Sequence, residues 1–370
     1  MKERVLHVIA NLDLGGAQSV LYHLWPSLQR SGRYQFELCV LNRLGQFGEK
    51  LIFEGAKIHC LTSRGKYDPG VVSKLRELIL QQGYRIVHAH LFPELAIVPI
   101  AAAGMSDVRL VYTEHSADNR RRKFGCAARM FDRLLYNPYA RVVAVNCSAH
   151  QNLTSWLPEL AARSVMIPNS IRLNRDDDVA NDLRAQLRIR RGESVKLILF
   201  AGRLSRVKGA DVLISALSHL KRNDLLCLIA GDGPDRERLE EQVSSLNLRE
   251  RVRFLGARRD VRSLLSQVDF LVLPSRCEGL PLIVLEAMAA GCPVVATSVD
   301  GTAEVLRNEE SALLVPPNDS RAMAAAIKRF LDEPSLRHTL ASRGRVDVES
   351  YSSDVIAKQL LSLYDQVLNS

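Results

Sequence analysis

The sequence predicts an α/β protein made of two doubly wound domains, each with a parallel sheet between layers of helices. Three observations carry this prediction. The chain of 370 residues is too long for one ordinary hydrophobic core. Short apolar, β-rich runs alternate with longer helical patterns, which is typical of parallel sheets covered by helices. The alternation breaks once, in the polar stretch at residues 172–178, and a new series begins at Lys196.

The break sets the expected domain boundaries. Residues 1–172 form the first Rossmann-like domain, residues 173–350 form the second, and residues 351–370 form a C-terminal helix that packs back towards the first. Ligands of doubly wound sheets bind at the carboxyl ends of the strands, so two such domains side by side would leave a binding cleft along those ends. Strands are expected near residues 5–9, 36–41, 57–61, 85–89, 109–113, 141–145, 164–167, 196–200, 225–230, 252–255, 269–273, 293–296 and 313–315.

Composition excludes several classes of protein. An apolar content of 47% and a charged content of 25% are those of a globular chain, not of a disordered one. The seven cysteines are scattered and form no C-x-x-C pair, so neither a disulfide framework nor a zinc site is indicated, and a reducing cytosol is expected. The first residues lack a secretory pattern, and no apolar stretch reaches the length of about 18 residues that indicates a transmembrane helix.

The positive charge is concentrated in the first half of the chain. Residues 1–170 hold 21 Lys and Arg against 13 Asp and Glu, whereas residues 171–370 hold 29 against 28. A basic half suits a nucleic acid, an anionic membrane or a phosphorylated substrate. Nucleic acid is the weakest of these, because aromatic residues make up only 6% of the chain and are not interleaved with the basic ones.

The most informative pattern is PSRCEGLPLIVLEAMAAGCPVVAT, at residues 274–297. Glu278 stands in a turn after an apolar run, and Glu286 stands eight positions later, in a helix that the intervening proline opens. The backbone N–H groups of Leu282 and Ile283 would then lie free at the helix start, with the positive end of the helix dipole behind them. The pattern therefore predicts an anion site with a carboxylate on each side.

Two cations follow the first strand of the second domain, in the segment FAGRLSRVKG. Arg203 offers a planar fork for two phosphate oxygens, and Lys208 offers a compact point charge. Such charges are most often solvated loop residues. The anion-binding helix start expected in the same sheet makes phosphate binding the better interpretation.

Glycine pairs mark two further turns at strand ends. Gly15 and Gly16 follow the first strand of the chain, and Gly231 and Gly233 follow a strand of the second domain. They permit close approach of a ligand to the backbone, or they form tight turns and nothing more. No G-x-G-x-x-G follows the first strand, which counts against a dinucleotide-dependent redox enzyme.

Three histidines end strands of the first domain: His88 and His90 on one strand and His115 on the next. Histidine can exchange a proton near neutral pH. His88 is expected to point into the fold, and a single histidine at a strand end is more often structural. A metal on His88 and His90 would lack nearby carboxylates, and the aspartates at 176–178 suit a solvated linker, so no metal site is predicted.

In this order and spacing, the motifs resemble the retaining glycosyltransferases of family 4, which have the GT-B fold. The resemblance covers almost the whole chain, and its most specific element is Glu-x7-Glu from Glu278 to Glu286. Two departures are Ser170, where the family often has glycine, and Gly301-Thr302, where it often has two glycines. Further matches are Gly15-Gly16, HAH (88–90), TEH (113–115), IPNS (167–170), AGRLSRVKG (201–209), AGDGPDRERLE (230–240) and FLG (254–256).

The resemblance implies a role for each matching residue. Arg203 and Lys208 would hold the diphosphate of a nucleotide-sugar donor. Glu286 would bond the ribose hydroxyls, while Glu278 would contact the donor sugar. His115 matches the histidine beside the reacting sugar and is the second catalytic candidate. The remaining assignments are Gly16, Gly279, Leu280, Leu282 and Ile283 to donor binding and His90 to the acceptor side.

We therefore expect a metal-independent, retaining glycosyltransferase that needs no cofactor. It would move a hexose-type sugar from a nucleotide diphosphate sugar to a hydroxyl acceptor, in the assembly of exopolysaccharide, lipopolysaccharide or glycolipid. Two alternatives stay open. One is a GT-B nucleotide-sugar epimerase, which would need a carboxylate base in the first domain, and the other is a non-catalytic scaffold that binds sugar nucleotides.

The densest basic cluster is Arg120-Arg121-Arg122-Lys123, and the helix expected after it carries Phe131 and Leu134 near one stripe. One interpretation is a solvated loop ahead of a helix packed in the core. The other is a docking patch for an anionic bilayer that presents a lipid-linked acceptor, since each Lys or Arg near such a surface contributes about 1 kcal/mol. The one-sided charge favours the second, which predicts a cytoplasmic protein that attaches reversibly to the membrane.

Overall fold

The computed structural model describes residues 2–13, 15–62, 64–65, 68–115, 125–173, 182–190 and 193–369. The chain divides into two compact units, one made of Met1–Arg172 with Tyr351–Ser370 and the other of Leu173–Ser350. The basic cluster at 120–123 and the aspartates at 176–178 lie outside the described residues.

A seven-stranded parallel sheet forms the centre of the first unit. The order across it is β3-β2-β1-β4-β5-β6-β7. Strands β2 and β3 extend the sheet on one side of β1, and strands β4 to β7 extend it on the other side. Strand β1 buries every residue from Val5 to Ala10, which is the pattern of a strand covered on both faces. The strands are β1 (Arg4–Asn11), β2 (Gln35–Arg43), β3 (Ile58–Cys60), β4 (Ile86–His90), β5 (Arg109–Glu114), β6 (Arg141–Ala144) and β7 (Ser164–Met166).

Helices cover both faces of this sheet. The helix at the end of the chain, α15 (Ser353–Leu368), shares a core with α1, in which Tyr364 and Leu360 pack with Trp25 and Leu28. A second core lies on α3 and α4 and contains Leu75 and Val98. The other helices of this unit, in chain order, are α1 (Gly16–Arg30), α2 (Gly45–Phe53), α3 (Gly70–Gln82), α4 (Glu94–Ala101), α5 (Gly125–Tyr136) and α6 (Cys147–Trp156).

The second unit has a six-stranded parallel sheet in the order β10-β9-β8-β11-β12-β13. Its strands are β8 (Lys196–Ala201), β9 (Leu225–Ala230), β10 (Val252–Gly256), β11 (Phe270–Leu273), β12 (Val294–Thr297) and β13 (Leu313–Val315). Its helices are α7 (Leu183–Gln186), α8 (Ala210–His219), α9 (Arg236–Ser245), α10 (Val261–Leu265), α11 (Leu282–Ala290), α12 (Asp300–Val305), α13 (Ser320–Asp332) and α14 (Pro334–Asp347).

The predicted fold class is confirmed, because both units are parallel sheets with helices on their faces. Strands β9 and β13 have the bounds that the sequence predicted, and the other strands begin and end within two residues of theirs. Among the described residues, no helix is both long and apolar enough to span a membrane.

Helix α5 leaves large apolar side chains exposed, contrary to the interpretation of this segment as an ordinary core-packed helix. Met130, Phe131 and Leu134 are 67%, 50% and 68% exposed. The buried residues of this helix are instead Asp132 and Tyr136, whose polar groups bond Trp156 and Glu114. Met130, Phe131 and Leu134 therefore face away from the core, while Leu135 and Tyr136 pack against it.

Candidate functional site

Lys208 and Glu278 form a close ion pair in the second unit. The Nζ atom of Lys208 lies 2.7 Å from Oε1 and 2.8 Å from Oε2 of Glu278, whose carboxylate is buried. Strands β8 and β11 are parallel neighbours, so the loops that follow them leave the sheet at the same edge. The structure thus brings together two residues that stand 70 positions apart in the sequence.

Backbone contacts lock these two loops against each other. Gly209 has a left-handed φ of 67°, and a Cβ atom there would lie 2.0 Å from the carbonyl oxygen of Pro274, so only glycine fits. The backbone N–H of Arg276 donates to the carbonyl oxygen of Val207 at 2.8 Å. Lys208 is therefore held beside the Glu278 loop by backbone geometry as well as by charge.

Ser275 and Thr297 support the Glu278 carboxylate from behind. The Ser275 hydroxyl donates to Oε1 of Glu278 at 2.6 Å, and the Thr297 hydroxyl donates to the carbonyl oxygen of Ser275 at 2.5 Å. All three residues are buried. One carboxylate oxygen of Glu278 thus accepts bonds from two donors, which fixes its orientation.

Arg276 fastens the same loop on its other side. Its guanidinium donates to both carboxylate oxygens of Asp211, at 2.8 and 2.7 Å, and to the carbonyl oxygen of Arg206 and the amide oxygen of Asn318. Burial opposes ionisation of Asp211, but the bonds from Arg276 lower the pKa of that carboxyl below its usual value. The sequence did not indicate a role for Arg276, because an arginine in a loop is usually exposed to solvent.

Helix α11 begins next to this loop. It starts at Leu282, one residue after Pro281, and no side chain caps its first turn. Leu282, Ile283 and Glu286 are partly buried, so the first turn and the second carboxylate of the motif remain accessible. A helix start of this kind, with orphan N–H groups and a positive dipole end, suits an anion.

The departure at Gly301-Thr302 has a structural explanation. A Cβ atom at Gly301 would lie 1.5 Å from the carbonyl oxygen of Gly279, so α12 packs directly on the backbone of the Glu278 loop. The buried Thr302 hydroxyl bonds the carbonyl oxygens of Thr297 and Val299 within its own turn. Threonine is accommodated at 302 because its hydroxyl finds partners there.

Arg203 and Lys208 differ in their surroundings. Arg203 is exposed, and its guanidinium has no hydrogen bond or ion pair in the part of the chain that the structure describes. Its neighbours are fixed, since the backbone N–H of Leu204 donates to the carbonyl oxygen of Asp232 at 2.9 Å. Arg203 is thus a solvated cation on a rigid loop.

Gly16 starts α1, and a Cβ atom there would meet nothing within 4 Å among the residues that the structure describes. Packing within the chain therefore does not require glycine at this position. Close approach of a ligand to the backbone, as the sequence interpretation holds, would give it a reason.

The histidines of the first unit are more buried than the sequence suggested. His88 and His90 are 1% and 4% exposed and their rings stack with centroids 4.3 Å apart, because residues i and i+2 of a strand share a face. The sequence analysis expected only His88 to point into the fold, whereas His90 is buried as well. Its Nδ1 atom lies 3.2 Å from Nε2 of the partly buried His115, and its Nε2 atom lies 3.0 Å from Nδ1 of His7.

His7, which sequence reasoning missed, completes a cluster with His88 and His90 in which one nitrogen of each lies within 4.8 Å of the others. Three imidazoles at such distances can hold a metal ion, although no metal site was predicted. Each of their ring nitrogens is, however, already hydrogen-bonded within the chain. The signal for His7 was present in the sequence, as a polar residue inside an otherwise apolar strand.

The protein has two parallel-sheet units, and one of them carries a paired lysine and glutamate beside a helix start. These are features of the GT-B class of glycosyltransferases. Comparison with known families gives the particular family. Residues 182–347 match the family described as glycosyl transferases group 1, and residues 14–175 match glycosyltransferase family 4. Taken together, the two matches span most of residues 14–347, and the chain belongs to the glycosyltransferases that these two families describe.

Curated relatives are similar over part or all of the chain. The α-D-kanosaminyltransferase of Streptomyces kanamyceticus is 34% identical over 50% of this chain and 49% of its own length. The phosphatidyl-myo-inositol mannosyltransferase of Mycobacterium leprae is 29% identical over 96% of this chain and 94% of its own. The chain spans about half the length of the first curated relatives it matches.

Solved structures share the fold along the whole chain. HepE of Anabaena, whose crystal structure contains UDP and glucose, has a TM-score of 0.84 at 21% identity, covering 98% of this chain and 100% of its own. The sucrose-phosphate synthase of Thermosynechococcus elongatus has a TM-score of 0.82 at 23% identity, covering 100% of both chains. At these identities the likeness establishes the GT-B fold.

Proposed function

We propose that the protein is a retaining glycosyltransferase that moves a hexose-type sugar from a nucleotide diphosphate sugar to a hydroxyl acceptor. The observation that carries this proposal is the Lys208–Glu278 pair at the shared edge of β8 and β11, next to the uncapped start of α11. Family membership and the UDP seen in the HepE crystal structure support a nucleotide-sugar donor.

The donor roles are those that the resemblance implies, and charge and exposure support the roles of Arg203 and Lys208. Arg203 and Lys208 bind the diphosphate, together with the backbone at Leu282 and Ile283, while Glu286 bonds the ribose hydroxyls. Gly16, Gly279 and Leu280 complete the donor site. The solvated guanidinium of Arg203 is available to such a ligand, and Lys208 becomes available when the diphosphate competes with Glu278.

The new glycosidic bond forms on the same face of the sugar ring as the bond to the phosphate that breaks. The bond between the anomeric carbon and the phosphate oxygen breaks, and the acceptor oxygen bonds the same carbon on the same face. The acceptor proton passes to the departing phosphate, whose negative charge Arg203, Lys208 and the helix start stabilise. Glu278 and His115 orient the sugar, and the reaction needs neither a metal ion nor a cofactor.

The acceptor is a hydroxyl of a growing glycan, and a lipid-linked glycan at the cytoplasmic face of a membrane fits the first unit best. Helix α5 exposes Met130, Phe131 and Leu134 in the half of the chain that holds the excess positive charge. Exposed apolar residues with neighbouring basic ones are typical of reversible attachment to an anionic bilayer. The epimerase alternative gains no support, because both matched families are described as glycosyltransferases.

Donor hydrolysis tests the proposed reaction without knowledge of the acceptor, since water can replace it. The protein is incubated with α-linked donors such as UDP-glucose, UDP-N-acetylglucosamine and GDP-mannose, with and without EDTA, and the first anomer released is identified by proton NMR. Retention predicts the α-anomer, at equal rates in EDTA. Early release of the β-anomer would contradict retention, and loss of activity in EDTA would contradict metal independence.

A further inference from the structure

A continuous chain of hydrogen bonds runs through the core of the first unit and ends at His115. The residues that these hydrogen bonds link are, in order, Thr113, His88, Tyr364, His7, His90 and His115. Its five links, in that order, measure 2.7, 2.7, 3.1, 3.0 and 3.2 Å. Strands β1, β4 and β5 and the C-terminal helix α15 each contribute to it.

The histidines in this chain are neutral. Burial lowers the pKa of His7 from 6.5 to about 3 and that of His115 to about 4. Burial also lowers the pKa values of His88 and His90 well below 6.5, and the neighbouring histidines add to the effect. A neutral imidazole has one N–H and one lone pair, so an imidazole bonded at both nitrogens must donate at one and accept at the other.

Thr113 sets the direction of the chain. Its hydroxyl is buried, and within the described ranges its only hydrogen-bond partner is Nε2 of His88. If Nε2 of His88 carried the proton, the hydroxyl hydrogen of Thr113 would be buried without an acceptor, which costs free energy. The favoured arrangement therefore has Thr113 donating to Nε2 of His88.

Every later link follows from that first one. His88 then carries its proton on Nδ1 and donates to the Tyr364 oxygen. Buried Tyr364 donates in turn to Nε2 of His7, its one other partner in the described structure. His7 donates from Nδ1 to Nε2 of His90, and His90 donates from Nδ1 to Nε2 of His115.

We propose that this chain fixes His115 in the tautomer that carries its proton on Nδ1, so that His115 offers an N–H donor rather than a lone pair. Thr113, His88, Tyr364, His7 and His90 act as positioning residues. Among the described residues, Nδ1 of His115 has no partner and is available to a ligand. The tautomer does not depend on the proposed function, whereas its use as a donor to a sugar hydroxyl rests on it.

Ring geometry favours this hydrogen-bonded chain over a metal centre. The rings of His88 and His90 stack, with centroids 4.3 Å and planes 25° apart. The lone pairs of an imidazole lie in the ring plane, so these two stacked rings do not aim theirs at one point. A metal ion would also have to break bonds that satisfy both nitrogens of each ring.

Nitrogen-15 NMR of the full chain tests the proposal directly, because a protonated and an unprotonated ring nitrogen resonate in separate ranges. Protein labelled at histidine is recorded with and without EDTA, and the His115 signals are assigned by their loss in His115→Gln. We expect Nδ1 of His115 to be the protonated nitrogen in the wild-type chain. A His115 protonated on Nε2 would overturn the proposal.

Thr113→Val and Thr113→Ser form a matched pair of variants. Valine keeps the shape but removes the donor, so the Nδ1–H signal of His115 should weaken in favour of the other tautomer, whereas serine should preserve it. Tyr364→Phe, which cuts the chain in its middle, should act like valine. An unchanged tautomer in both Thr113→Val and Tyr364→Phe would overturn the proposal, as would histidine signals that shift when EDTA is added.

The same variants separate this inference from the proposed function. The NMR result is obtained on the protein alone, so an inactive protein with the expected tautomer would contradict the proposed function and leave this inference intact. An active enzyme in which the His115 tautomer does not change when Thr113 is replaced would contradict this inference and leave the proposed function intact.

Discussion

The Nζ atom of Lys208 lies almost equally far from the two carboxylate oxygens of Glu278, at 2.7 and 2.8 Å. The carboxylate thus neutralises the lysine and holds it in the loop. A donor diphosphate carries more negative charge than one carboxylate and would compete for Lys208. Binding of the donor would then free Glu278 to accept hydrogen bonds from the sugar, which links diphosphate binding to sugar binding.

Replacing Lys208 with glutamine should lower the turnover number by roughly 10²–10³, the scale for loss of one preorganised charge stabiliser. Glutamine retains a hydrogen-bond donor for Glu278, so the loop should stay folded. Steady-state kinetics with the donor measure the turnover number, and circular dichroism checks that the variant stays folded. The matched control is Lys328→Gln, whose lysine is exposed and pairs with Asp332 on α13. A loss no larger than that of the control would contradict the role of Lys208.

Gly16→Ala should separate stability from activity. Alanine at the first residue of α1 meets no atom of the described residues within 4 Å and is favoured over glycine in helices, so the melting temperature should stay the same or rise. Turnover or donor affinity should fall, because the added methyl group would block close approach of the ligand to the backbone. Thermal unfolding and donor kinetics of the same preparation provide the comparison. Unchanged kinetics would remove Gly16 from the donor site.

Sequence patterns predicted the sheets and the segments that carry the site, because strand periodicity and the Glu-x7-Glu spacing are local signals. They did not predict which residues hold Glu278, since Lys208 meets it only through sheet order and loop packing, and Thr297 acts on it only through the carbonyl oxygen of Ser275. The histidine chain was missed for the same reason. His7 looks like one polar residue in a buried strand until β4 and α15 place His90 and Tyr364 next to it.

Unfolding should take up protons below about pH 6.5. The pKa values of His7 and His115 are lowered to about 3 and about 4 in the folded state, so each histidine binds a proton near pH 5.5 only when the chain unfolds. The free energy of unfolding should therefore fall as the pH drops from about 7 towards 4. His7→Gln should reduce proton uptake on urea unfolding at pH 5.5 by about one proton.

The matched control for that measurement is His338→Gln, because His338 is exposed in α14. The reduction in proton uptake should be larger for His7→Gln than for this control. If His7→Gln and His338→Gln gave the same uptake, the buried neutral state of His7 would be refuted.

Vesicle flotation tests the membrane contact proposed for α5. Wild-type protein should bind vesicles that contain phosphatidylserine more than vesicles of phosphatidylcholine alone, and high salt should reduce the binding. Met130→Ser with Leu134→Ser should weaken it, because both side chains are exposed and apolar. Phe53→Ser, which removes a 94% exposed aromatic on α2, is the control and should bind normally. Equal recovery with both vesicle types would refute the contact.

Titration calorimetry with UDP, GDP, ADP and dTDP tests the donor site most directly. We expect the wild-type chain and the exposed-surface control Glu250→Ala to bind at least one of these nucleotides equally well. Glu286→Ala should weaken that binding roughly 10- to 100-fold, the equivalent of one hydrogen bond to a charged group, whereas Glu278→Gln should bind within a few-fold of wild type and lose turnover. Absence of nucleotide binding by the wild-type chain, or equal binding by Glu286→Ala, would contradict the donor site assigned to the second unit.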